Sequence, residues 1–180
     1  MSVFTNPASG AAEQADAYIR AVLGLLGSRD PMEVLRTTAR ALRAVVSEVP
    51  EDRLGVPERA GKWSIRDVLR HLADSEIVWG YRLRMVLAQD RPTLTGYDQD
   101  AWADRLGYAE SDAVAAVAEF EAVRAGNLAL VSRTSDADLK RVGIHAERGE
   151  ESLEHMVRLY AGHDILHLRQ IERIRAAVTE

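Results

Sequence analysis

The chain has 180 residues, 47% of them hydrophobic and 28% charged, and 23 Lys+Arg against 28 Asp+Glu leave a net charge of −5. That length suits one domain with a buried core, and an acidic balance without a basic block argues against a nucleic-acid partner. The absence of cysteine excludes disulfides, thiolate metal sites and a thiol nucleophile from the protein itself.

Met1 to Gln14 lacks a basic stretch followed by an apolar run, and the longest apolar runs fall short of a membrane span. The expectation is a cytoplasmic protein without membrane association. Helical spacing recurs along the chain, and no alternating strand pattern persists for more than a few residues. The first helix is predicted over Ala12 to Leu26, with Tyr18, Ile19, Val22, Leu25 and Leu26 on one stripe, stopping at Gly27-Ser28. Asp30-Pro31-Met32-Glu33 starts the second: Asp30 caps, Pro31 suits the first helical position and Glu33 completes a capping box. Its core positions are Val34, Leu35, Thr38, Leu42, Val45, Val46 and Val49, and Pro50 and Gly55-Val56-Pro57 end it. Ser64, with Asp67 three residues on, opens a third helix running to about Ala88. Arg91 to Gly107 reads as a long connection holding Gly96, Tyr97 and Trp102, and connections of that length are functional or poorly ordered. Ser111-Asp112 opens an Ala-rich helix ending near Ser132, Thr134 to Glu150 reads as irregular, and the last helix runs from about Ser152 to Val178. The expected fold class is all-α: one domain over residues 1–180, a four-helix bundle plus a short N-terminal helix. The two long connections permit a non-simple topology.

The histidines carry the chemical signal. His163 and His167 stand four apart on the last helix, so both imidazoles share a face. That spacing alone is weak, but the pair falls in the middle of the core stripe defined by Leu153, Met156, Leu159, Tyr160, Ile171, Ile174 and Val178, with Gln170 beside it. Buried polar groups need partners. Hydrogen bonds to neighbouring helices are one answer, and a shared metal ion is the other. His71, at the edge of the apolar face of the Ser64 helix, is available as a third ligand, and Asp67 or Asp74 could orient its second ring nitrogen. His155 falls off the core stripe. His145 lies in the irregular stretch, either solvated or lining a pocket. Arg124 lies on the apolar stripe of its helix, so it either anchors an anionic cosubstrate or pairs with a carboxylate such as Glu121 or Asp74.

Gly61-Lys62-Trp63-Ser64, His71-Leu72-Ala73-Asp74-Ser75-Glu76 and the run Gly162 to Ile171 containing His163 and His167 resemble the DinB-like/YfiT-type superfamily over about Asp30 to Ile174. The loop Tyr97 to Trp102 and the stretch His145 to Glu150 resemble one branch of it. The resemblance implies a four-helix bundle of non-sequential helix order, one divalent metal held by His71, His163 and His167, and frequent homodimers. Zinc or nickel are the first choices, with iron or manganese as others. Some relatives use low-molecular-weight thiols such as bacillithiol or mycothiol in transfer or isomerisation, and many are labelled metal-dependent hydrolases. A thiol cosubstrate is consistent with a chain that has no cysteine of its own. The expected function is metal-dependent thiol transfer to a small electrophile; hydrolysis by an activated water, and a non-catalytic metal- or ligand-binding stress protein, are the alternatives. Asp67, Asp74, Arg124, His145, Tyr160, Gln170 and Trp102 are the candidates for supporting the ligands or lining the pocket, and the Tyr97–Trp102 connection with His145 is expected to cover the open side of the metal.

Overall fold

The computed structural model describes residues 12–178, with side chains described from Ala15 onward; the expectation for Met1 to Gln14 lies outside that range except for Ala12 to Gln14, the first residues of a helix. The long helices are α1 (Ala12–Leu26), α2 (Pro31–Glu48), α4 (Ile65–Ala88), α6 (Ala113–Val131) and α8 (Leu153–Val178). Four of them form the bundle. α2 packs on α6 and α8, and α4 packs on the same two, so α2 and α4 stand diagonally and the order around the bundle is not the order in the chain. α1 lies outside, against α8. Among the described residues no helix is long and apolar enough to cross a membrane.

The helix starts follow the local chemistry. The Ser64 hydroxyl accepts from the Asp67 backbone N–H while the Asp67 carboxylate accepts from the Ser64 N–H, a reciprocal box that satisfies two orphan donors. At α2 the Asp30 carboxylate accepts from the Met32 N–H and Pro31 occupies the first turn. The box expected from Glu33 does not form; Glu33 simply lies in the first turn, where an acid favours the helix dipole.

The two connections are more ordered than the spacing predicts. Between α2 and α4 a four-residue helix, α3 (Glu51–Leu54), buries Leu54. The first long connection contains β1 (Thr93–Leu94), α5 (Gln99–Arg105) and a 3-10 turn at Tyr108–Glu110. The second contains α7 (Asp136–Leu139) and a hairpin of β2 (Val142–His145) and β3 (Gly149–Ser152). β2 pairs antiparallel with β3, with Val142 opposite Ser152 and His145 opposite Gly149, and parallel with β1, with Leu94 opposite His145. The all-α expectation therefore holds for the bundle and misses a small sheet. Strands of two to four residues are too short to show a period of two. Gly143 lets this sheet sit close on α4, since a Cβ there would lie 2.7 Å from Leu94 and 3.0 Å from Val86. The sheet fixes His145 and the segment after Leu94 against one side of the bundle.

The core is split. Leu42, Leu69, Leu72, Phe120, Ile171 and Ile174 belong to one apolar cluster, and Leu35, Trp79, Leu83, Val131, Leu153 and Met156 to another. Buried polar residues lie on the same helices between them: Thr38 on α2, His71, Ser75 and Glu76 on α4, Arg124 and Asn127 on α6, Asp164 and His167 on α8. This polar belt holds the candidate site.

Candidate metal centre

His71 comes from α4, and His163 and His167 from α8, which packs beside it. One ring nitrogen from each lies within 4.8 Å of the other two. His71 Nε2 and His163 Nε2 are 3.3 Å apart, and the His163 and His167 ring centroids 4.4 Å apart. His167 Nδ1 lies 2.8 Å from Gln170 Oε1, so Nδ1–H donates to that amide and Nε2 is left with its lone pair. Burial holds all three imidazoles neutral: it pushes His71 and His163 well below the usual histidine range, with His167 adding to both, and His167 to about 4. Neutral imidazole is the ligating form.

The donor set fits a divalent ion. Two nitrogens each about 2.0–2.1 Å from an ion at a tetrahedral angle stand roughly 3.3 Å apart, which is the His71–His163 separation. His71 Nδ1 and His163 Nδ1 are buried without a hydrogen-bond partner. A proton on one Nε2 can serve only that pair of rings, whereas a cation would take the Nε2 lone pairs of both and of a third ligand.

The expected supporting residues divide. Gln170 orients His167 as described. Asp67 does not reach His71, because both of its bonds close the Ser64 box. Asp74 does not reach it either: it pairs with Arg70 and accepts from the Tyr108 hydroxyl at 2.6 Å. The other ring nitrogen of His71 instead goes without a partner, and Trp63 packs on the ring at 4.9 Å between centroids. Arg124 pairs with neither Glu121 nor Asp74. Its guanidinium bonds Asp164 at 2.7 and 3.1 Å and Glu76 at 2.8 Å, and Glu121 pairs with Arg43 on the surface. The structural alternative for Arg124 is thus the observed one, with other partners, because Asp164 and Glu76 project into the belt and Glu121 and Asp74 do not.

Beside the three histidines is a cleft of about 70 Å³. α4 lines it with His71, Ser75 and Arg82, and α8 with Leu159, Tyr160 and His163. α1 contributes Ala15 and Tyr18, the first connection Gly96, Tyr97 and Gln99, and the hairpin His145, Glu147 and Arg148. The first connection, through Gly96, Tyr97 and Gln99, and His145 line the same cleft as His71 and His163. Trp102 is not in the wall; it backs Tyr97 at 4.4 Å between ring centroids. His155 stands apart from the cluster, half-buried at the start of α8. Ser75 Oγ lies 3.3 Å from His71 Nε2 and 2.9 Å from the Tyr97 hydroxyl, which burial keeps protonated.

Sequence reasoning missed Ser75 and Arg82. Their signal was present: His71, Ser75 and Arg82 stand at i, i+4 and i+11, one stripe of a helix.

Residues 35–171 match the DinB superfamily. The chain belongs to that superfamily. Among curated relatives, a Bacillus licheniformis protein named "Putative metal-dependent hydrolase" is 28% identical over 142 residues, 78% of this chain and 81% of its own length. The Bacillus subtilis protein named "Putative metal-dependent hydrolase YfiT" is 27% identical over 144 residues, 79% of this chain and 81% of its own. The solved structure of Bacillus subtilis YfiT, described as "a probable metal-dependent hydrolase with an unusual four-helix bundle topology", superposes with a TM-score of 0.75 at 25% identity, covering 93% of this chain and 89% of that one.

Proposed function

We propose that this DinB superfamily member is a metal-dependent hydrolase of small molecules, with His71, His163 and His167 holding one divalent ion. The observation that carries the reading is the convergence of three neutral imidazoles, two buried and His163 half-buried, from two helices onto one point at the wall of a cleft. A divalent ion there would supply Lewis-acid activation of water and of the electrophile. The chain's own residues set the rest. Gln170 fixes the His167 tautomer. Ser75 Oγ lies between His71 Nε2 and the Tyr97 hydroxyl, so it can hold the Tyr97 hydroxyl beside the cluster. Tyr97 and Tyr160 remain phenols, since burial raises both, and so act as donors to a developing oxyanion. Tyr18 and Tyr97 narrow the cleft and limit water access.

Water is favoured over a cosubstrate thiol as the nucleophile by what the similar proteins are called. A homodimer, on the family resemblance, and a cytoplasmic location, on the cysteine-free composition, remain part of the proposal.

Elemental analysis of purified protein tests the ligand set. His71→Ala, His163→Ala and His167→Ala should each lower metal content at least tenfold, with His155→Ala unchanged. Equal metal content in all four would sink the assignment. Metal-loaded protein should then hydrolyse members of a small ester and amide panel without added thiol. Turnover that requires a thiol overturns hydrolysis in favour of transfer.

A further inference from the structure

Arg82 is 4% exposed, and among the described residues it pairs with no carboxylate. Its Nη2 donates to the Thr95 carbonyl at 2.6 Å and its Nη1 to the Tyr160 hydroxyl at 3.3 Å. Nε is buried with no partner. Two of five donors are therefore in use, both toward neutral oxygens, and a buried guanidinium without a counter-ion is costly. Arg148, the other cation of the cleft, differs: Glu151 takes it in a two-point bond at 2.6 and 3.0 Å.

His145 adds an independent observation. It is 2% exposed and lines the same cleft. Its Nδ1 accepts from the backbone N–H groups of Glu147 and Arg148 at 3.2 and 3.4 Å. In a neutral ring that places the proton on Nε2. Nε2–H is then a donor, and it is buried with no acceptor. The ring stays neutral because of burial and of the Arg148 and Arg82 charges. Tyr160 joins Arg82 to the histidine cluster: its hydroxyl meets Arg82, and its ring lies 5.8 Å from that of His163, while His145 lines the same cleft.

We propose that Arg82 and His145 form an anion subsite that takes the carboxylate of a small monoanionic substrate, placing its reacting group at the three-histidine cluster. The substrate class rests on the metal-centre reading above; the subsite itself does not. One uncompensated guanidinium plus neutral donors matches a single negative charge. Glu147, on the wall of the same cleft, disfavours a phosphate dianion.

The test uses metal-free protein, so that the ion cannot bind the probe. Acetate, acetamide and inorganic phosphate are titrated while the ¹⁵N–¹H signals of the histidine rings are followed. Acetate should shift the His145 Nε2–H signal saturably, acetamide should not, and Arg82→Met should weaken acetate binding at least tenfold. Arg82→Lys, which keeps the charge, should retain part of it, and it serves as the second variant should Arg82→Met fold poorly. Equal responses to acetate and acetamide, or acetate binding unchanged in both Arg82 variants, overturns the subsite. Phosphate binding more tightly than acetate overturns the carboxylate assignment. Metal content of the Arg82 variants should equal that of the wild type, so a failed metal site and a failed anion subsite read out separately.

Discussion

Arg124 and Arg82 are guanidiniums buried in the same bundle, 2% and 4% exposed, and their surroundings treat them oppositely. Arg124 meets two carboxylates, Asp164 and Glu76, while Thr38 and Asn127 complete the bonding of those acids. Arg82 meets only a carbonyl and a phenol, and it borders open space. A buried cation enclosed by its own carboxylates joins helices; here it ties α6 to α4 and α8 directly behind His163 and Ser75. A buried cation balanced by neutral oxygens keeps its charge available to whatever enters the cleft. Burial and residue type alone do not distinguish these roles, and the partner list does.

Removing the charge should separate them most sharply. Arg124→Met leaves Glu76 and Asp164 buried without a cation, and breaking a buried pair in that way costs about 3–5 kcal/mol. Arg82→Met loses two bonds to neutral acceptors but also removes a buried charge that has no counter-ion, so its cost should be smaller, about 1–3 kcal/mol. Urea unfolding of both variants measures the difference, and equal losses would erase the distinction.

Acidification should act next, through the histidines of the cleft region. His145 stands at about 4 in the folded protein against about 6.5 in the unfolded chain. Between those values the unfolded chain binds more protons, so stability rises with pH across the window and is lost as pH falls from about 6.5 toward 4. That single group contributes on the order of 3 kcal/mol, and His71, His163 and His167 act in the same direction. His145→Gln in metal-free protein should flatten the dependence of melting temperature on pH; an unaltered slope would show that His145 is not held neutral.

Gly162 sits between the two regions, next to His163. A Cβ there would collide with the Val22 backbone carbonyl of α1, and backbone cannot swing aside as a side-chain tip can. Gly162→Ala should cost about 1–3 kcal/mol, and it should displace α1, whose Ala15 and Tyr18 line the cleft. Acetate affinity should then fall together with stability. The surface pair Arg173–Glu58 provides the lower bound: Arg173→Ala should cost under about 1 kcal/mol in thermal unfolding.

The long helices were legible because each carries its own evidence. The Ser64–Asp67 box, Asp30-Pro31 and Asp112 mark starts by chemistry within one turn, and α8 shows its core stripe over 26 residues. The His163–His167 pair was legible for the same reason, since a helix converts a spacing of four into a shared face. The β1–β2–β3 sheet was not legible, because β1 is held by pairing with a segment about fifty residues away and the hairpin strands are too short to show a period of their own. Asp74 misled: its place one turn from His71 suggested an orienting bond, yet Arg70 and Tyr108 occupy its oxygens.

The sequence by itself determined which faces of the helices are apolar and which break that pattern with histidine or arginine, because amphipathic periodicity is a local property. It also determined that any thiol or disulfide chemistry must come from outside the chain. Only the tertiary structure decided that α4 and α8 lie side by side with His71 facing His163, that Asp164 and Glu76 rather than Glu121 or Asp74 neutralise Arg124, and that Arg82 and His145 share a wall. Those outcomes depend on how helices distant in sequence pack, and packing chooses partners by geometry across the bundle, which no spacing along one helix encodes.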